Sequence, residues 1–185
     1  MFLGFLFLLI KLLFFMKIGY IIPLMKYLYF YNTTIGKIGI VEEKGFVTNI
    51  CFVTMKAPLN ARLYETDLIK ETYNQINEYL DKERTSFDIP INTTLNRQHQ
   101  RILTDVLCVP YGEVVTYKDL GLKNNIHPRA IGTFVKKNPI PLLIPCHRVL
   151  GSNGSIGGYI GGVELKRHLL ELENVDSWYY RKDYY

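Results

Sequence analysis

The hydrophobic pattern of the chain changes its period near residue 60, and this change limits the folds open to it. Before that point, residues 27–31, 36–41 and 46–53 form short runs rich in β-branched and aromatic residues, which are typical of strands. A Glu-Glu-Lys-Gly turn at 42–45 joins the second run to the third and indicates a hairpin. Residues 65–83 instead place their apolar side chains on one helical face. The sequence therefore predicts a small antiparallel sheet with a helix packed on it.

The second half of the chain is predicted to be mostly helical. Helices are expected over 98–107, from Tyr117 and over 129–137, with a break at 110–112 and a helix start at Pro128. Two short helices joined by a tight polar turn are typical of a helix-turn-helix, which occurs in DNA-binding proteins and also as an ordinary packing unit. The expected fold class is α/β (α+β).

These patterns divide the chain into four segments. We expect a hydrophobic extension at 1–24, a sheet-and-helix domain at 25–92, a mostly helical domain at 93–175 and a tail at 176–185. A polar stretch at about 84–96 would link the two domains.

The first 24 residues are strongly apolar and have several explanations. They are long enough for a transmembrane anchor, although Lys11 would be costly near its centre. A secretory peptide is disfavoured because no basic region precedes the apolar block and no Ala-x-Ala-like site follows it. We favour a start at Met25, with a cytoplasmic protein as the result, and keep the membrane-anchored protein as the alternative.

Positive charge is concentrated in the C-terminal half. The chain has 22 Lys and Arg against 17 Asp and Glu, and basic residues outnumber acidic ones between Arg97 and Arg148. A basic half points weakly to a polyanion such as nucleic acid, because neutralised phosphates release counterions. Solvated surface charge is the alternative.

The three cysteines differ in their surroundings. They cannot all pair, and none has the C-x-x-C spacing of a zinc or redox site, which favours a reducing compartment. Cys51 and Cys108 lie in apolar runs and are predicted to be buried, inert thiols. Cys146 instead follows the apolar run 141–145, which is predicted to be a strand bracketed by prolines.

Cys146 is the candidate nucleophile because His147 and Arg148 follow it. A thiol reacts as the thiolate, and a neighbouring cation or base lowers its pKa. Adjacent residues on an extended chain point to opposite faces, so His147 is expected to act on the sulfur through a bridging water. Glu173 is the candidate acid that orients the imidazole. Glycines at 151–154 and around Tyr159 would let the backbone form a wall over a flat substrate such as a base, although ordinary turns also use them.

With these motifs the chain resembles the O6-alkylguanine-DNA alkyltransferases, also called methylated-DNA–protein-cysteine S-methyltransferases, over about residues 25–175. The core of the resemblance is Ile144-Pro145-Cys146-His147-Arg148-Val149. Further motifs recur in the family's order: Pro110-Tyr111-Gly112-Glu113, Thr116-Tyr117, Arg129-Ala130-Ile131-Gly132, Asn138-Pro139, Gly158-Tyr159, Gly161-Gly162 and Leu169-Leu170-Glu171-Leu172-Glu173.

The resemblance implies a DNA repair protein that moves a methyl or other alkyl group from O6-alkylguanine to its own cysteine, once and irreversibly. Cys146 would be the acceptor, and Glu173 would hold His147 so that it deprotonates the sulfur through water. Tyr117 would donate to the guanine ring as charge develops there. Asn138 would tie the recognition helix to the nucleophile segment. The DNA contacts implied are those of Thr116, Tyr117, Arg129, Ala130, Gly132, Arg148, Gly158, Tyr159 and Ile160.

The partner implied is double-stranded DNA with an alkylated guanine. The recognition helix would lie in the minor groove, Arg129 would fill the gap left by the flipped base, and Tyr159 would close over that base. The resemblance also implies a monomer that needs no cofactor and no metal. The resemblance does not decide whether O4-alkylthymine is a second substrate.

Two departures and two further rivals accompany the resemblance. The stretch from Tyr117 to Arg129 is about two residues shorter than is typical, which puts the helix-turn-helix turn in doubt, and Ile160 stands where the family has a polar residue. One rival is a protein that binds alkylated DNA without repairing it, although such relatives replace the cysteine. The other is a cysteine hydrolase that uses Cys146 and His147.

Overall fold

The computed structural model describes residues 26–52, 60–176 and 179, so the extension at 1–24 and nearly all of the tail lie outside the described residues. The described part of the chain begins with a four-stranded sheet, whose strand order is β3-β2-β1-β4. Its strands are β1 (Lys26–Thr33), β2 (Gly36–Glu43), β3 (Phe46–Phe52) and β4 (Ala61–Leu63). The first three pair antiparallel, as predicted, while β4 adds to β1 in parallel.

The β2–β3 hairpin turns at two residues with positive φ. Lys44 has φ 57° and Gly45 has φ 76°. Tight hairpin turns require this left-handed backbone because it matches the twist of the flanking strands. The turn predicted at 42–45 is therefore confirmed.

Helix α1 (Asp67–Leu80) packs on the sheet. The side chain of Thr66 caps its first turn by accepting from the backbone N–H of Ile69 at 3.1 Å. Its buried face includes Ile69, Ile76 and Tyr79. The predicted helix and its place on the sheet are confirmed.

The polar stretch after α1 runs along the edge of the sheet. Val47 of β3 donates its N–H to Pro90 O at 2.9 Å and accepts from Asn92 N at 3.1 Å. These bonds hold the connection to the second half of the chain against the sheet.

Four α-helices follow within residues 60–176: α2 (Arg97–Leu107), α3 (Tyr117–Asn124), α4 (Pro128–Lys136) and α5 (Val163–Leu172). Two short strands, β5 (Val115–Thr116) and β6 (Val149–Leu150), pair in parallel. Helices α2, α3 and α4 agree with the predicted pattern, and the whole is the mixed α/β (α+β) fold expected.

The α3–α4 pair forms a helix-turn-helix with well-formed ends. Thr116 and Asp119 make a capping box at the start of α3. Asn125 ends that helix in the left-handed conformation, with φ 55°. Pro128 then opens α4 in its first turn, where the missing N–H costs nothing. The turn between α3 and α4 is therefore well formed, although it is shorter than is typical.

One hydrophobic cluster extends through both halves of the chain. It joins Ile40 and Ile50 of the sheet to Ile102 of α2, Ile131 of α4 and Ile144. The two halves therefore share a core. Among the described residues no helix has both the length and the apolar character needed to cross a membrane.

Candidate active site

The segment that carries Cys146 is a compact turn. Ile144 N donates to Ile140 O at 2.9 Å, and Leu142 has φ 75°. A 3-10 helix over Cys146–Arg148 follows it. The strand predicted at 141–145 is therefore wrong. Prolines at both of its ends lack the N–H that a strand ladder needs, and the apolar residues between them are buried in a turn.

Asn138 joins the end of α4 to this turn. Its side-chain N–H group donates to Ile144 O at 2.9 Å and lies 3.1 Å from Cys146 Sγ. Its side-chain oxygen accepts from Ile140 N at 3.0 Å. The side chain is fully buried, so these bonds have no competition from bulk water. Asn138 thus ties the end of α4 to the turn that carries Cys146.

The thiol of Cys146 is buried, with 3% of the residue exposed. Burial raises its pKa to about 11, while Asn138 and the positive charge of Lys166 act to lower that pKa. Lys166 is itself fully buried on α5 and donates to Val149 O at 2.6 Å. Burial lowers the Lys166 pKa to about 8. Sequence reasoning missed Lys166; the available signal was a lysine beside the apolar stripe of α5.

The Glu173 carboxylate accepts hydrogen bonds from four residues. Oε1 accepts from His147 Nε2 at 2.9 Å, from the Tyr79 hydroxyl at 2.6 Å and from Arg148 Nη2 at 2.8 Å. Oε2 accepts from Arg148 Nε at 2.9 Å and from Gly112 N at 3.2 Å. Although burial acts to raise the Glu173 pKa, the bonds to His147 and Arg148 outweigh it and hold the pKa at about 2. The carboxylate is therefore ionised at neutral pH.

His147 is held as a neutral base. Burial lowers its pKa below the ordinary 6.5, against the opposing effect of Glu173. Because Nε2 faces the carboxylate, the proton belongs on Nε2. Nδ1 is buried and has no hydrogen-bond partner among the described residues. The lone pair on Nδ1 is thus available to accept a proton.

Arg148 lies inside the protein, contrary to the expected DNA contact. It is 6% exposed, and its guanidinium donates to Glu173 and, at 2.6 Å, to Val109 O. These partners hold the side chain in the interior, so the expectation of a DNA contact is corrected: Arg148 holds Glu173 in its ionised form.

A pocket of about 320 Å³ opens beside the thiol. Its lining residues are Tyr117, Gly132, Val135, Lys136, Cys146, Gly158, Tyr159 and Ile160. The Tyr159 hydroxyl is buried and has no partner among the described residues. Gly157, at φ 66°, lets the loop pass close to the Tyr117 hydroxyl, which a Cβ there would approach to 3.4 Å. Val135 and Lys136 were not predicted for this site.

Thr116, Arg129 and Ala130, the remaining predicted DNA contacts, are not among the residues that line this pocket. Thr116 donates to Asp119 and caps α3, while Arg129 is exposed on the first turn of α4 with the half-buried Ala130 beside it. The other two cysteines lie outside the pocket lining. Cys51 is buried, as predicted, but Cys108 ends α2 and is exposed, so its predicted burial is wrong.

Two family models together match nearly all of the described chain. Residues 97–175 match the 6-O-methylguanine DNA methyltransferase, DNA binding domain, and residues 26–93 match the ribonuclease-like domain of the same family.

Curated relatives and solved structures agree with these models. The methylated-DNA–protein-cysteine methyltransferase of Metallosphaera sedula is 41% identical over 144 residues, which is 77% of this chain and 90% of the relative. That of Sulfurisphaera tokodaii is 36% identical over 149 residues, or 79% and 92% of the two chains. Among solved structures, Mycobacterium tuberculosis OGT in complex with DNA superposes with a TM-score of 0.75 at 28% identity, covering 85% of this chain and 96% of that one.

Proposed function

Because the chain belongs to the 6-O-methylguanine DNA methyltransferase family, we propose that Cys146 is the residue to which it transfers the alkyl group. The chain is a DNA repair protein that moves an alkyl group from DNA to a cysteine of its own. The observation that carries the assignment is the place of Cys146, which lines the pocket between Tyr117 and Tyr159 and lies within reach of Asn138.

The proposed alkyl transfer begins with removal of the Cys146 proton by a neighbouring base. His147 Nδ1 takes the Sγ proton through a bridging water, and Glu173 stabilises the imidazolium that results. Sγ then forms a bond to the alkyl carbon while the bond from that carbon to O6 of guanine breaks. The electron pair of the broken bond leaves with guanine, and Tyr117 donates to the ring as negative charge develops. The thioether formed on Cys146 ends the reaction after one turnover, and no cofactor takes part.

The depth of the thiol accounts for base flipping. A base stacked in a duplex cannot reach a sulfur that is 3% exposed, so the lesion must leave the stack and enter the pocket. We infer that α4 lies in the minor groove, with the exposed Arg129 filling the gap in the duplex and Ala130, Gly132 and Thr116 contacting the strand.

Around the flipped base, Gly158, Tyr159 and Ile160 would form one wall of the pocket. Since Ile160 carries no polar side chain, its contribution would come from its backbone N–H. The substrate proposed is O6-alkylguanine in double-stranded DNA, bound by a monomer, with domains at 25–92 and 93–175 acting together. A cytoplasmic location stays a prediction.

The test is the intact mass of the protein after incubation with a duplex that carries one O6-methylguanine. Wild-type protein should gain one methylene mass, roughly 14 Da, in a stoichiometric reaction. Cys146→Ala should gain nothing, whereas Cys108→Ala, which removes an exposed thiol outside the pocket lining, should react as wild type does.

Tight binding to the lesion without any mass gain would contradict the proposal. It would make the protein a recognition module for alkylated DNA, the rival that the presence of Cys146 argues against.

A further inference from the structure

Tyr79 reaches the catalytic carboxylate from the other half of the chain. It lies in the last turn of α1, which packs on the N-terminal sheet, and it is 1% exposed. Its hydroxyl donates to Glu173 Oε1 at 2.6 Å and lies 3.4 Å from His147 Nε2. Neither the sequence motifs nor the proposed mechanism gives this residue a role.

Resting on the function proposed above, we propose that Tyr79 is a positioning residue for alkyl transfer: its hydroxyl holds Glu173 Oε1 against His147 so that Nε2 keeps the proton and Nδ1 stays free to act as the base.

The two distances to the hydroxyl decide which bond it makes. At 2.6 Å from a carboxylate oxygen and 3.4 Å from a ring nitrogen, the hydroxyl donates to the carboxylate. Since Tyr79 does not donate to Nε2, that nitrogen must itself carry a proton to face Oε1 at 2.9 Å. The opposite tautomer would set the lone pair of Nε2 against a carboxylate oxygen, which repels it. Tyr79 thus favours the tautomer that catalysis needs.

Burial makes this donor hard to replace. Tyr79, His147 and Glu173 are each at most 2% exposed, so bulk water does not reach the carboxylate if the hydroxyl is removed. Burial and the nearby carboxylate raise the Tyr79 pKa, which keeps the hydroxyl protonated as a donor. The ring is held by Phe87 and Tyr111, with centroids 5.4 and 6.1 Å away. The hydroxyl is therefore fixed by packing from both halves of the chain.

The test compares Tyr79→Phe with Tyr73→Phe. The first removes one hydroxyl and keeps the ring; the second makes the same change on the same helix, where the ring stacks on Tyr31 at 3.9 Å. Single-turnover kinetics with an O6-methylguanine duplex give the maximal transfer rate and the half-saturating concentration separately. General base catalysis contributes roughly 10²–10⁴-fold, and losing one donor to its carboxylate should cost part of this, about tenfold.

We expect the Tyr79→Phe maximal rate to fall by about that factor while DNA affinity stays unchanged, and Tyr73→Phe to match wild type. ¹⁵N chemical shifts of the His147 ring should show a protonated Nε2 in wild type and a mixture of tautomers in Tyr79→Phe. In a His147→Gln background, Tyr79→Phe should have no further effect on the rate, because its action passes through His147.

Three results would overturn the inference: a Tyr79→Phe rate within twofold of wild type, a slower rate with an unchanged His147 tautomer, or an equal loss in the His147→Gln background. Wild-type protein gives a further check that needs no variant, since a protonated Nδ1 in its ¹⁵N spectrum would refute the assignment. If wild type fails to alkylate Cys146 yet shows the Nε2 tautomer and loses it in Tyr79→Phe, the proposed function fails while the positioning stands.

Discussion

Replacing Glu173 with Gln should destabilise the protein severely, although the two side chains have nearly the same shape. The donors around the carboxylate explain why. Tyr79, His147 and Arg148 surround Oε1, and Arg148 and Gly112 face Oε2. An amide has one oxygen and one NH₂ group, so either orientation sets a donor against two or more donors. The substitution also leaves the Arg148 guanidinium buried without its counter-charge.

The magnitude follows from the pKa of the carboxyl group. Folding lowers it from 4.5 to about 2. At 1.36 kcal/mol for each unit, the ionised carboxylate contributes about 3 kcal/mol to the free energy of unfolding at neutral pH. Removing one partner of a buried ion pair typically costs roughly 3–5 kcal/mol, which agrees with the value obtained from the pKa. Because the folded pKa is the lower one, this contribution is complete above about pH 4.5 and disappears as the pH falls through about 2.

Urea unfolding of wild type and Glu173→Gln at pH 7, 5 and 3 measures this difference. We expect a loss of about 3–5 kcal/mol at pH 7 and pH 5 and a distinctly smaller loss at pH 3. Glu164→Gln is the control, because that carboxylate lies 86% exposed beside Arg167 and should matter little. A difference below about 1 kcal/mol at pH 7, or one that stays constant down to pH 3, would refute the reasoning.

Four further outcomes are expected. Asn138→Ala should slow alkyl transfer and lower the free energy of unfolding by about 1–3 kcal/mol, because it leaves Ile140 N unpaired in the interior and removes one of the two hydrogen bonds to Ile144 O; an equal urea midpoint would contradict this. Gly161→Ala should lower the free energy of unfolding by about 1–3 kcal/mol, since its Cβ would meet the Leu165 side chain at 2.6 Å and the Phe52 ring at 3.0 Å, whereas Gly158→Ala meets nothing within 4 Å and should leave the melting temperature unchanged. Thr116→Val should lower the free energy of unfolding by about 1 kcal/mol, because it removes the side chain that caps α3; thermal unfolding measures this. The wild-type transfer rate should be constant between pH 7.5 and pH 6.5, below the Lys166 pKa of about 8, and should fall as the pH drops further, because burial lowers the pKa of the base His147; a fall that begins above pH 7 as the pH is lowered would contradict this.

The elements that sequence analysis predicted well are those whose pattern is local. The face of α1 repeats at helical spacing, and the Lys44-Gly45 turn requires a backbone that few residues adopt. The prediction failed at 141–145 because an apolar run between prolines has the pattern of a short buried strand. The run turns because Leu142, Leu143 and Ile144 pack into the core that both halves of the chain share. Asn138 holds the turn through Ile140 N and Ile144 O, and the hydrophobic pattern alone shows neither the packing nor these bonds.

The residues of the candidate site that could be predicted are likewise those with a local pattern. Cys146 and His147 are adjacent in the sequence, so their chemistry can be recognised from the motif alone. Tyr79 lies 94 residues from its partner Glu173, and nothing in the α1 pattern separates it from the apolar residues beside it. The DNA contact that the resemblance implied for Arg148 was wrong for a similar reason, because its buried acceptors, Val109 O and Glu173, lie 39 and 25 residues away in the sequence.

Burial protects the resting thiol of Cys146. Cys146 is buried and its pKa is raised to about 11, so at neutral pH it is a thiol rather than a thiolate. Small oxidants and alkylating agents in solution therefore meet the exposed Cys108 first. A protein that is consumed by one turnover must not lose its acceptor to such reagents. In the mechanism proposed above, the thiolate forms when the His147–Glu173 pair takes the Sγ proton, inside the same pocket that would hold the lesion.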